Sequence, residues 1–147
     1  MSSRQAAAHG GGNLGYLIKR AQLAFRARMD AGLKALGITA PQYAVLSSLS
    51  IEPGISNAAL ARVAFVTPQS MLGIVENLEK LKLIAREADP DHGRILQANL
   101  TAKGRDALSQ AHKIANGIEA EMTANVPKKE VMQAKRLLIC FAENLDG

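Results

Sequence analysis

Thr67, Pro68, Gln69 and Ser70 stand together where a helix should begin. A threonine followed by a proline is an N-cap followed by a first helical residue whose missing N–H costs nothing. Gln69 can donate and accept at once, the pattern that pairs bidentately with adenine, and serine or threonine hydroxyls serve several bases. The helix N-terminus adds free N–H groups and the positive end of a dipole, both attractive to phosphate. Taken alone, the four residues equally describe a capped core helix. Further along, IAREA, DPDHG and RILQANL alternate in polarity around a turn and read as a β-hairpin. Arg86 lies on its incoming strand, and His92, Gly93 and Arg94 occupy its tip. A guanidinium on a narrow ribbon suits the minor groove, whose negative potential attracts it.

The surrounding elements must hold these two groups side by side. Ser56 opens a short helix, SNAALARVA, with Leu60 and Val63 as its apolar face. After Phe65-Val66 the capped segment continues as MLGIVENLEKL, whose Met71, Ile74, Val75, Leu78 and Leu81 trace an inward stripe. Two helices joined by so short a turn form a helix-turn-helix, whose second helix enters the major groove. Upstream, Asn13 caps a first helix carrying Leu14, Leu17, Ile18, Ala21, Phe25, Leu33 and Leu36, which Gly37 ends. Thr39-Ala40-Pro41-Gln42 then spells a capping box for a second helix, stopped at Pro53-Gly54. Downstream, Thr101 opens a fifth helix with Leu108, Ala111, Ala115, Ile118 and Met122 at steps of three and four. Pro127 opens a sixth with Val131, Ala134, Leu138, Phe141 and Leu145. These two seams need partners, either in the protomer's own core or on a second copy.

The predicted fold class is therefore mainly α with a small β-hairpin wing: a winged helix-turn-helix plus a helical dimerisation region. Residues 1–12 read as a flexible leader and 13–147 as a single domain. The DNA-binding lobe is placed at about 39–100, and the dimerisation helices at about 13–36 and 101–145. With 48% apolar residues, the 147-residue chain can bury a substantial core. Its net charge of +5 is compatible with a polyanionic partner. Cys140 is the one cysteine, so no internal disulfide can form. The expected location is cytoplasmic, with neither a signal peptide nor a membrane span. His9, His92 and His112 are scattered and show no metal-ligand spacing, and no nucleophile–base or phosphate-loop pattern is readable. Neither a metal, a cofactor nor an enzyme activity is expected.

The stretch TPQSMLGIVENLEKLKLIAREADPDHGRILQANLTAKGRDAL resembles the recognition helix, wing and following helix of the MarR family. NLEKLKLIAR, DPDHGR and LTAKGR carry the likeness most specifically, and TAPQYAVLSSL resembles the family's second helix. The resemblance runs over roughly residues 13 to 145. It implies a homodimer with interleaved terminal helices, acting as a repressor on pseudo-palindromic double-stranded DNA. It also implies that Thr67, Pro68, Gln69, Ser70 and Arg94 fall at DNA-contact positions. The sequence departs from the family at His92, where an acidic residue is usual, and at Leu72 and Gly73, where a polar residue and an arginine are common.

The family likeness further implies a small aromatic or anionic effector, with Arg26, Met29, Tyr43 and His112 as candidates to line its crevice. Cys140, in LLICFAENL, does not match the family's peroxide-sensing cysteine position and is expected to be a buried, inert thiol. The same elements fit two rival roles: a winged-helix protein-interaction module without DNA binding, and an architectural DNA-binding protein with little sequence preference.

Overall fold

The structure is a computed structural model and describes residues 12–89, 91, 93 and 96–147. His9, His92, Arg94 and most of the expected leader thus lie outside the described residues. Among the described residues, six helices and a two-stranded sheet follow one another: α1 (Leu14–Lys34), α2 (Ala40–Ile51), α3 (Asn57–Ala64), α4 (Pro68–Lys80), β1 (Ile84–Ala88), β2 (Leu96–Leu100), α5 (Ala102–Met122) and α6 (Lys128–Asp146).

Local capping explains where the helices begin. Asn13 Oδ1 accepts from the Tyr16 N–H at 2.7 Å. Thr39 and Gln42 form the reciprocal box, Gln42 N–H to Thr39 Oγ1 at 3.3 Å and Thr39 N–H to Gln42 Oε1 at 3.0 Å. Gln42 is buried, and the box meets the needs of its side-chain oxygen there. Ser56, Thr67 and Thr101 cap α3, α4 and α5 in the same manner. After α1, Gly37 takes φ +71, a left-handed turn that glycine adopts without a Cβ clash.

Leu33, Val45, Leu46, Leu49, Met71 and Leu78 form the fully buried centre where α1, α2, α4 and α5 converge, with Leu60 and Ala61 from α3 and Ala111 from α5. α3 and α4 meet at 99° across a tight turn, the bend a helix-turn-helix requires. β1 and β2 pair antiparallel, with Ile84 opposite Leu100, Arg86 opposite Ala98 and Ala88 opposite Leu96. Gly54 N–H donates to the Ala98 carbonyl at 3.1 Å, tying the α2–α3 turn to the wing.

The root of the wing is clasped by the LTAKGR segment. Thr101 N–H donates to the Leu83 carbonyl at 3.1 Å, and the Thr101 hydroxyl donates to the Lys82 carbonyl at 2.6 Å. Lys103 Nζ reaches the Leu81 carbonyl, and Arg105 Nη1 the Leu100 carbonyl, each at 3.1 Å. Gly104 completes the clasp: a Cβ there would overlap the Leu83 carbonyl oxygen.

Several expected core positions turn outward. Val63 is half exposed, and the buried partner of Leu60 is instead the adjacent Ala61. Leu81 caps α4 and is partly exposed, because the helix ends before the stripe reaches it. Leu14, Leu17, Ile18, Met122, Leu138 and Leu145 are all exposed in the protomer. No residue of α6 is buried, so Cys140 is exposed too, which corrects the expectation of a buried thiol. Among the described residues, no side chain of the α6 seam joins the hydrophobic core of the protomer.

Candidate nucleic-acid interface

The outer end of α4 carries the predicted reading residues. Thr67, Pro68, Gln69 and Ser70 are all exposed. Thr67 Oγ1 accepts from the Ser70 N–H at 3.1 Å and donates to Ser70 Oγ at 2.9 Å. These hydroxyls therefore hold the helix start, while among the described residues the Gln69 side chain is left to the solvent. Asn57 Nδ2 donates to the Pro68 carbonyl at 3.1 Å, fixing the start of α4 against the start of α3. Phe65 makes the bend between them, with a left-handed backbone at φ 56.

Arg86 faces a different partner from the one its sequence position suggested. Its Nε donates to Glu79 Oε2 at 2.9 Å and its Nη2 to Glu79 Oε1 at 3.2 Å, a bidentate pair between β1 and the last turns of α4. The hydrogen bond from Arg86 holds the Glu79 carboxyl below the usual carboxylate range. The same bond, helped by the nearby charge of Glu76, raises the Arg86 guanidinium. Arg86 thus fastens the wing strand to the recognition helix, because the hairpin register aims it at α4.

The four candidate effector residues separate. Tyr43 and His112 meet across α2 and α5, hydroxyl to Nδ1 at 2.7 Å, with their rings edge to face. Burial pushes the Tyr43 hydroxyl up from its ordinary pKa. Met29 is a core residue, and Arg26 lies at the solvent, 3.8 Å from Asp30 on its own helix.

His112 also borders a groove of about 640 Å³ between the end of α2, the end of β2 and one face of α5. Arg105, Ser109, His112 and Asn116 line it at steps of four, three and four along α5, with Lys113 beside them. Leu49, Pro53, Leu100 and Leu108 supply its apolar wall. Two cations and several hydrogen-bond groups over an apolar floor suit a small aromatic anion. The polar face of α5 was visible as spacing, but the groove needs α2 and β2 to form its other walls.

A model of the MarR family matches residues 36–95, the span from the end of α1 to the wing. The HTH-type transcriptional repressor Rv2887 of Mycobacterium tuberculosis H37Rv is 38% identical over 125 residues, 85% of this chain and 90% of that protein. The crystal structure of Mycobacterium tuberculosis Rv2887 with salicylic acid superposes with a TM-score of 0.74 at 37% identity, covering 88% of this chain and 96% of the other. Its complex with DNA superposes at 0.73 and 35%, covering 88% and 98%. Identity at this level over nearly the full length of a relative, together with the bent α3–α4 pair, the hairpin and the flanking helices, makes this chain a member of the MarR family.

Proposed function

We propose that the chain is a homodimeric, cytoplasmic DNA-binding repressor whose grip on an operator is released by a small aromatic or anionic effector. The observation that carries the reading is the exposed Thr67–Ser70 end of α4, set beside a wing by the Arg86–Glu79 pair and by the Asn57–Pro68 bond. Thr67, Pro68, Gln69 and Ser70 meet the major groove, with Gln69 as the base reader. Arg94 and His92, at the wing tip by sequence, meet the minor groove. Arg86 belongs to the interface as the residue that sets the wing's angle to α4.

Dimerisation is supported by the apolar band along α1, the end of α5 and α6. Leu138 and Leu145 project from a helix none of whose residues is fully buried in its own protomer. An exposed band of this kind on a soluble regulator marks an interface. The effector reading rests on the α2–β2–α5 groove and on the Tyr43–His112 pair at its side. A ligand there contacts the clasp at Arg105, so it bears on the angle between the wing and the helical frame. Salicylic acid bound to Rv2887 supports the same ligand chemistry. Ligand binding shifts the dimer toward a spacing of recognition helices that no longer matches the half-sites.

The test is a fluorescence-anisotropy titration of the purified protein on DNA from upstream of its own coding region, with and without salicylate. The expected result is tight, salt-dependent binding that salicylate weakens. Binding that is equal on random DNA would favour an architectural role, and absence of binding would favour a protein-interaction module.

A further inference from the structure

The outward face of α4 carries Gln69, Leu72, Gly73 and Glu76, at spacings of three, one and three, with Ser70, Asn77 and Lys80 exposed beside them. Two of these residues are unexplained by the protein's own packing. Leu72 is 52% exposed, although Met71, Val75 and Leu78 on the same helix are buried. Gly73 sits in a helix interior, where glycine is less favourable than alanine. A Cβ at this position would meet nothing within 4 Å, so the fold itself does not require its absence. The face also lacks any Lys or Arg from Pro68 through Glu79. Lys80, exposed at the last residue of α4, lies about three turns beyond Gln69, so the part of the face from Gln69 to Gly73 carries no group for the bidentate reading of guanine.

We infer that this face reads A·T base pairs, with Leu72 packed on the 5-methyl group of a thymine. That methyl is the one apolar edge in the major groove, and an apolar side chain is its natural partner. Gly73, immediately beside Leu72, lets the α4 backbone come close to the DNA so that Leu72 and Gln69 reach the base edges together. Gln69 lies one turn nearer the helix start and takes the adenine of a neighbouring pair. Glu76, on the same face, is exposed, and its carboxylate argues against phosphate contact along this part of the helix. The inference rests on the DNA-binding reading above and adds to it the sequence preference of each half-site.

The experiment starts by selecting duplexes from a random pool with the purified full-length protein. Each thymine of a selected duplex is then replaced singly by deoxyuridine, which removes only the methyl group. Binding is measured for the wild type, Leu72→Ala and Gly73→Ala. At one thymine per half-site the wild type should lose about four-fold in affinity, the weight of one buried methyl-sized group. Leu72→Ala should bind both forms of that duplex equally. Gly73→Ala should bind several-fold more weakly while melting at a higher temperature, an opposition that a purely structural glycine does not produce. Uracil effects that are absent, or the same in wild type and Leu72→Ala, would overturn the inference, as would wild-type binding by Gly73→Ala. Failure to enrich any duplex over the pool would overturn the DNA-binding reading itself, and this inference with it.

Discussion

Gly104→Ala is a substitution for which helix propensity and tertiary packing predict opposite signs. Gly104 is the third residue of α5; alanine is favoured over glycine in a helix by at most about 1 kcal/mol, so propensity alone makes the variant more stable. At Gly104 the new Cβ would overlap the Leu83 carbonyl oxygen. That oxygen is not free to retreat. It accepts the Thr101 N–H at 3.1 Å, while the Leu83 N–H is held by the Leu78 carbonyl at 3.0 Å. Either α5 shifts away from the α4–β1 corner or the Thr101 bond lengthens. Overpacking of this sort costs about 1–3 kcal/mol, and a weakened hydrogen bond adds roughly 1 kcal/mol. After the propensity gain is subtracted, the net destabilisation is about 1–3 kcal/mol. For a chain of this size that corresponds to a fall in Tm of roughly 3–10 °C. The assay is thermal unfolding followed by circular dichroism, at one fixed protein concentration because association raises Tm. Gly117→Ala serves as the control: it lies on the same helix with nothing within 4 Å of its Cβ, and should not fall with Gly104→Ala. A Gly104→Ala protein as stable as the wild type would refute the claim that this contact fixes the wing root.

The remaining predictions concern the interface, the tether and the frame. Gln69→Ala should weaken binding to a selected duplex by about 1–3 kcal/mol and leave random-sequence binding nearly unchanged; equal losses in competition titrations would make Gln69 a backbone contact. Arg94→Ala should make the plot of log affinity against log salt shallower by roughly one unit, and superimposable salt titrations would remove the wing tip from the interface. The Glu79 carboxyl titrates below its usual value in the folded protein, so its tether to Arg86 stabilises the fold above that value and is lost as the pH falls through the depressed one. Glu79→Gln should therefore flatten the acid side of the stability–pH curve, whereas parallel wild-type and variant curves would mean that the tether is inert. Leu138→Glu should yield monomers or unfolded chain in sedimentation, and a wild-type protein that sediments as a monomer at micromolar concentration would remove the dimer.

What the sequence determined by itself was everything decided within one turn of chain. Asn13, Thr39, Ser56, Thr67 and Thr101 are all caps in the structure, because a cap joins a side chain to an N–H two or three residues away. The change from helical to alternating polarity located the hairpin for the same reason. Tertiary structure alone decided what each long side chain touches. Arg86 was legible as a basic residue on a strand, but its partner depended on the hairpin register and on where the last turns of α4 lie. Met29 and Arg26 share a helix with the expected crevice, yet the rotation of α1 buries one and turns the other to solvent. Tyr43 and His112 are 69 residues apart, and only the packing of α2 on α5 brings them to 2.7 Å. Gly104 stood out only as part of the LTAKGR likeness, and its physical role was not legible beside that of Gly73, since both stand in helices; the difference is a backbone carbonyl brought beside one and open space beside the other. Short-range hydrogen bonds are written in local order, whereas contacts across elements follow from helix rotation and close packing, which no single segment encodes.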